Sequence, residues 1–394
     1  MDLIDSFKQK YSDQPTVLAR APGRVNLLGE HVDYNQGPVL PVAIDRAVHL
    51  AAGPSLGGER IVTLHALDLD EQVSFSLDNL AAKICTDGRP LPSWAHYPAG
   101  VAWALQDAGY SLAGMRAVYA SKVPIGAGLS SSAAVEIGFC VLWQALSGWK
   151  AEPLTLAQIS QKAENLYVGV SCGLMDQFSS ACGIEGHALY FDTRSLEWQP
   201  APLPNETSII IADSGVRRSL ATSAYNERRG ACEQAVDILR RYLPAIRSLR
   251  DVSPTEFMAY STALPETIRR RAEHVIKEIA RVDSALSALH RQDRRAFGAL
   301  MYAGHASLRD LYEVSTPELD ALVEIARGLP GSIGARLTGA GFGGCTVNIV
   351  ETTQAEAFIL GLQGGYLERT GREAQVYLCR ASQGASAHIY VSSE

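Results

Sequence analysis

Apolar positions in the N-terminal part of the chain fall in short β-rich runs, at residues 39–44, 47–52, 61–64 and 73–77, with a turn at Ser55-Leu56-Gly57-Gly58 among them. Ahead of these runs, residues 2–14 carry the pattern of a short polar helix, and strands over 16–21 and 25–28 are broken by Pro22-Gly23. A helix over 98–108 and a strand over 115–122 follow. That strand leads through Pro124-Ile125-Gly126-Ala127-Gly128-Leu129-Ser130-Ser131-Ser132-Ala133 into a second helix. Its apolar residues Ala134, Val135, Ile137, Val141, Leu142, Ala145 and Leu146 lie nearly all round, so the helix is expected to be buried until Gly148 stops it. Thr155 and Gln158 fit a capping box for a helix that reaches Val168.

Pro200, Pro202 and Pro204 mark a shift in composition, and we place a domain boundary there: an N-terminal α/β domain over 1–200 and a C-terminal α/β domain over 201–394. Beyond it the spacing predicts a strand over 208–212, a long helix opening at Tyr225, and helices over 265–289, 294–312 and 317–328. A strand over 346–350, a helix over 354–370 and a strand over 374–379 complete the chain, so the second half is mainly helical.

Composition narrows the classes. Hydrophobic content of 47% and charged content of 20% describe a soluble globular protein with enough core for two domains. A net charge of −7 argues against a nucleic-acid surface. The N-terminus is polar and no apolar run approaches the ~20 residues that cross a bilayer, so neither a secretory signal nor a membrane is expected. Seven cysteines, with no C-x-x-C pair, read as reduced thiols of a cytoplasmic protein. The histidines show no metal-binding spacing, which leaves any divalent cation to oxygen ligands.

The loop from Pro124 to Ala133 has the composition of a phosphate cradle. Gly126 and Gly128 put no Cβ between backbone and ligand, and the serines stand where a helix exposes its free N–H groups, with Ser131 or Ser132 able to cap it. It is not a Walker A loop, because no Lys followed by Ser or Thr closes the glycine run, and the dinucleotide fingerprint fails at Ser131. Gly29-Glu30-His31-Val32-Asp33-Tyr34-Asn35 concentrates hydrogen-bonding side chains between apolar segments, a chemistry suited to a polyol. Thr338 to Cys345 forms a second glycine-rich turn that can close over the first. On pattern alone Glu164 reads as a surface residue of its helix and Asp176 as a buried helix cap.

Together, Gly23 to Tyr34, Pro124 to Ala133 and Thr338 to Cys345 resemble the three motifs of the GHMP small-molecule kinases, the first being specific to the galactokinase branch. The match continues through Ala163-Glu164-Asn165, Cys172 to Gln177 and Ser223-Ala224-Tyr225-Asn226, so it covers essentially the whole chain. Leu28 and Gln36 depart from the branch's usual residues, and Gln36, beside the sugar loop, could alter which sugar substituents fit. The resemblance implies an α/β (α+β) two-domain GHMP kinase fold with the active site in the interdomain cleft. It implies ATP-dependent phosphorylation of α-D-galactose at its anomeric hydroxyl by a monomer. It further implies Asp176 as the base and Arg24 as the charge stabiliser, with Glu30, His31, Val32, Asp33, Gly173 and Tyr225 on the sugar. The phosphates of ATP would lie on Gly126, Ala127, Gly128, Leu129, Ser130, Ser131 and Ser132, and Mg²⁺ between Ser132 and Glu164. A sugar- and ATP-binding regulator without turnover, or a kinase of N-acetylgalactosamine or arabinose, stays open at this point.

Overall fold

The computed structural model describes residues 3–124, 126–217 and 221–391, and of residues 221–223 the backbone only. Ile125 of the cradle and the side chain of Ser223 therefore lie outside the described residues. Helix α1 (Leu3–Tyr11) presses the fully buried Phe7 onto the sheet that follows. Strands β1 (Val17–Asn26), β2 (Pro38–Val39), β3 (Pro41–Pro54), β4 (Ile61–Ala66) and β5 (Glu71–Ser76) precede helix α2 (His96–Asp107) and strand β6 (Met115–Ser121). Where the pattern predicts two strands on either side of Pro22-Gly23, and two again within 39–52, the chain runs on. β1 and β3 are single long strands paired antiparallel, and only their register shifts, between Pro22 and Arg24. Proline has no N–H for the ladder, so the irregularity falls there and re-aims Arg24.

Helices α3 (Ser131–Ser147), α4 (Pro153–Lys162) and α5 (Met175–Cys182) back this sheet. α3 is buried as expected and ends in left-handed Gly148. α4 begins at Pro153 with no side-chain cap, so the expected capping box is not formed, and residues Ala163–Val168 continue it as a π-helical turn. Strands β7 (His187–Asp192) and β8 (Trp198–Pro202) join β2 in a small sheet.

β9 (Thr207–Asp213) opens the second half, so the chain crosses at residues 203–206, beside the proline-rich stretch. Helices α6 (Ala221–Leu239), α7 (Pro254–Tyr260), α8 (Glu266–His290), α9 (Arg294–Ser307) and α10 (Pro317–Gly328) follow. Strands β10 (Ser332–Thr338) and β11 (Cys345–Glu351), helix α11 (Ala355–Thr370) and strand β12 (Gln375–Cys379) then complete a four-stranded sheet ordered β10-β11-β9-β12. The final strand, β13 (Ser386–Ile389), corrects the expected division at its far end. It pairs antiparallel with β1, so the six-stranded sheet reads β13-β1-β3-β6-β4-β5 and the last residues belong to the N-terminal half. Among the described residues no helix is long and apolar enough to cross a membrane.

Buried charge ties the halves together. Glu278 on α8 accepts from the Gly29 amide at 2.9 Å, from Arg336 Nη1 at 2.7 Å and from Arg281 Nε at 2.6 Å. Burial opposes a charge there, but Arg336 and Arg281 outweigh it and hold the Glu278 carboxyl well below its ordinary range. The loop that starts at Gly29 is thus fixed from the opposite half of the molecule.

Candidate active site

A cavity of about 410 Å³ opens where the two halves meet, lined by Arg24, Glu30, His31, Asp33, Glu164, Gly173, Asp176, Tyr225 and Ala340, among others. At its centre Arg24, aimed by the irregularity in β1, donates from Nε to Asp176 Oδ1 at 2.8 Å and from Nη1 to the Gly128 carbonyl at 2.7 Å. Asp176 lies in the first turn of α5 and does not cap it; its other oxygen accepts from Ser130 Oγ at 2.5 Å. Both carboxylate oxygens are therefore oriented, and a carboxylate held beside a guanidinium can receive a proton while charge nearby is neutralised.

No serine caps α3. Ser130 occupies the N-cap position in a left-handed conformation (φ 58°) with its hydroxyl turned to Asp176, and among the described residues no side chain bonds the first N–H groups of the helix. Those groups are thereby left for an anion, which the helix dipole favours. The carbonyls of Gly128 and Leu129 are already used by Arg24, whose own amide donates to Leu129 at 3.1 Å, so this part of the loop supports the Arg24–Asp176 pair as well as the cradle. Thr338 to Cys345 does fold back on the loop. A Cβ on Gly339 (φ +86°) would lie 3.1 Å from the Gly128 carbonyl oxygen, a backbone approach that only glycine permits.

Sequence reasoning missed Arg217. It forms a bidentate pair with Asp213 at 2.8 and 2.6 Å, and its Nε would lie 3.2 Å from a Cβ placed on Gly126, so a guanidinium stands beside the loop's tip. Nothing in the local pattern marks it, because the loop follows β6 of one sheet and Arg217 follows β9 of another, and only the folded chain brings them together.

The sugar loop is held from several sides. Glu30 is buried and accepts from the Gly339 amide at 2.7 Å. Burial pushes its carboxyl up to about 7 against the pull of Arg336 and Arg24. His31, also left-handed (φ 63°), faces the Ala340 carbonyl with Nε2 at 3.1 Å and the Tyr34 hydroxyl with Nδ1 at 2.9 Å. Since a carbonyl only accepts, Nε2 carries the hydrogen and Nδ1 accepts from Tyr34. Burial lowers His31 to about 4, so the ring is neutral at physiological pH. Val32 is not on the cavity wall: its side chain is fully buried, and its carbonyl accepts from the Asn35 and Gly37 amides to close the turn. Gln36 also points away, with its side-chain oxygen accepting from Arg194 Nε at 2.8 Å on the outer surface, so it does not shape the cavity. Tyr225 sits one turn into α6, its ring 5.5 Å from that of His31, and burial with Asp33 and Asp176 nearby raises its hydroxyl so that it stays protonated.

Burial, helped by the facing Asp176, pushes the Asp33 carboxyl from 3.8 up to about 6. The native chain thus holds this proton more tightly than the unfolded chain, and the charged form at neutral pH costs stability. Asp33→Asn is expected to stabilise the fold by on the order of 2 kcal/mol at about pH 7 while damaging sugar binding. The gain should shrink as pH falls through about 6 and vanish below 3.8, where both states are protonated. Urea unfolding of both proteins at neutral and acid pH checks this; an equal gain at both would mean that the carboxylate charge is not its source.

Glu164, read from pattern as a surface residue, is buried on the cavity wall, within the π-helical turn that continues α4, a local distortion found often at functional sites. Burial raises its carboxyl above the ordinary range, against the pull of nearby donors, Ser132 among them. Among the described residues no group of three or more His, Cys, Asp or Glu could hold a metal ion. The two oxygens of Ser132 and Glu164 fit the partial, hard-oxygen site that Mg²⁺ takes when phosphates and water complete its shell.

The galactokinase galactose-binding signature matches residues 5–54, the GHMP kinases N terminal domain 96–184 and the GHMP kinases C terminal domain 285–366. A galactokinase of Roseiflexus sp. (strain RS-1) is 46% identical over 383 residues, covering 97% of this chain and 96% of its own. The galactokinase of Homo sapiens is 42% identical over 383 residues, with 96% and 94% covered. In three dimensions the chain superposes on the crystal structure of Lactococcus lactis galactokinase complexed with galactose with a TM-score of 0.91 at 33% identity, over 98% of both chains. A cleft that sets an arginine–aspartate pair between a polyol loop and an anion cradle is thus found in a chain with galactokinases among its full-length relatives, and the chain belongs to the galactokinase family of GHMP kinases.

Proposed function

We propose that the protein transfers the γ-phosphoryl group of ATP to the anomeric hydroxyl of α-D-galactose, giving galactose 1-phosphate and ADP, the first step of galactose catabolism. The observation that carries this reading is the Arg24–Asp176 pair, which joins the anion cradle at Gly128 and Ser130 to the cavity wall formed by Glu30, Asp33 and Tyr225. ATP lies with its phosphates on Gly126 to Ser132, near the Arg217 guanidinium, and the sugar lies against Glu30, His31, Asp33, Gly173 and Tyr225. Ser132 and Glu164 would hold Mg²⁺, which would supply positive charge against the phosphates. Asp176 accepts the proton of the attacking hydroxyl. Phosphoryl transfer is loose and depends mainly on positioning and electrostatics, so the proton need move only late and Arg24 contributes by stabilising charge on the transferring group. One chain supplies every wall of the cleft, so the working unit in this reading is a monomer. Its free cysteines suit the reducing cytoplasm.

Release of ADP measured with galactose, glucose, N-acetylgalactosamine and arabinose tests the substrate. Glucose inverts one hydroxyl, and a polar site left unpaired is expected to disfavour it by on the order of 10²-fold or more in kcat/KM. Tyr225→Phe should lose activity on galactose more than on glucose; equal loss would assign Tyr225 to packing.

A further inference from the structure

Gln177 follows Asp176 on α5 and is fully buried, yet the mechanism above gives it no task. Its side-chain nitrogen donates to Glu164 Oε2 at 2.6 Å and to Glu136 Oε2 at 3.0 Å. Three elements meet at this one amide: α3, which carries Ser132 and, a turn later, Glu136; the π-helical turn that carries Glu164; and α5. The amide is oriented with its nitrogen toward both acids, and its own carbonyl oxygen, like Glu136 Oε1, has no partner among the described residues. Cys172 adds a second donor to the same Glu164 Oε2 at 3.2 Å. These protein donors converge on one oxygen of Glu164, and Oε1 carries neither of them. Glu136 is itself fully buried, with an Oε1 that has no partner among the described residues. A buried acid with an unmet oxygen is costly, and an apolar side chain would fill the same space without that cost.

From this geometry we infer that Gln177 is a positioning residue for Glu164, anchored from α3 by Glu136. The bridge holds Glu164 Oε2 toward the interior, so that Oε1 is presented beside Ser132. Because Gln177 and Asp176 share a helical turn, the metal carboxylate and the base keep a fixed relation. The inference rests on the reading of Glu164 as the Mg²⁺ ligand.

The test uses Mn²⁺ as the probe, titrated by electron paramagnetic resonance into the full chain saturated with the β,γ-imido analogue of ATP and galactose. Gln177→Leu, which keeps the volume and removes the donor, is expected to weaken Mn²⁺ by roughly 10–100-fold, the usual cost of losing a partner of a metal ligand. Galactose affinity by calorimetry should be unchanged. Glu136→Leu should weaken Mn²⁺ likewise, and Glu136→Gln, which restores an acceptor, should recover most of the affinity. If Gln177→Leu does not fold, Gln177→Met carries the same expectation. Loss of Mn²⁺ affinity in Glu164→Gln without loss in the Gln177 variant overturns the positioning role and leaves the metal assignment standing. Wild-type affinity in both overturns the two together.

Discussion

Asp176→Ala is expected to lower kcat by ~10²–10⁴-fold, the usual worth of a positioned base, and Arg24→Ala to cost at least as much. The geometry gives Arg24 two tasks. Its guanidinium orients Asp176 Oδ1 and grips the Gly128 carbonyl, so its loss both frees the carboxylate and loosens the cradle. Removing it also takes a buried cation from the place where charge passes between phosphate and sugar, where a fixed donor is worth far more than in water. Galactose binding, measured by calorimetry, should largely survive in Arg24→Ala, because Glu30, Asp33 and Tyr225 are untouched. Turnover of Asp176→Ala within a few-fold of wild type would remove the base assignment and leave Asp176 as a positioning group.

Gly173→Ala is the second substitution with a large expected effect, although it adds one methyl group. A Cβ at Gly173 would lie 2.7 Å from Asp33 Cγ and closer still to Oδ2, so the Asp33 carboxylate would be forced off its present position. If Asp33 binds the sugar as proposed, displacing its carboxylate by about an ångström costs on the order of 10²-fold, and kcat/KM for galactose should fall by at least that much. ATP binding should hold, since the cradle is built from other residues. Equal loss of nucleotide and galactose affinity would point to general disruption of the fold around α5.

Much of this site was legible in the chain because its chemistry sits in contiguous stretches. The sugar loop and the two glycine-rich turns each carry their own punctuation, and the buried helix α3 announces itself by apolar residues all round. What stayed illegible depends on contacts remote in sequence. β13 is a short polar strand, Ser386-Ala387-His388-Ile389, whose pairing with β1 no local pattern could reveal. Glu164 read as a surface residue because a lone glutamate on a helix is usually solvated; it is buried against Gln177 and Cys172, which its own helix does not reveal. Val32 and Gln36 show the reverse. Adjacent to functional residues in sequence, they are turned away by the left-handed residues His31 and Gln36 and serve the turn and the outer surface. Gln177 is defined by partners on other elements and Arg217 by its approach to Gly126, so only the folded chain brings them to notice.

The central claim is that one cleft brings the anomeric hydroxyl of galactose, the Arg24–Asp176 pair and the γ-phosphate of ATP together. Phosphorus NMR of the products from galactose, ATP and Mg²⁺ tests it most directly. The expected result is ADP together with a sugar phosphate whose phosphorus couples to the anomeric proton of α-galactose 1-phosphate. Phosphate on another hydroxyl, or ADP with inorganic phosphate alone, would contradict it.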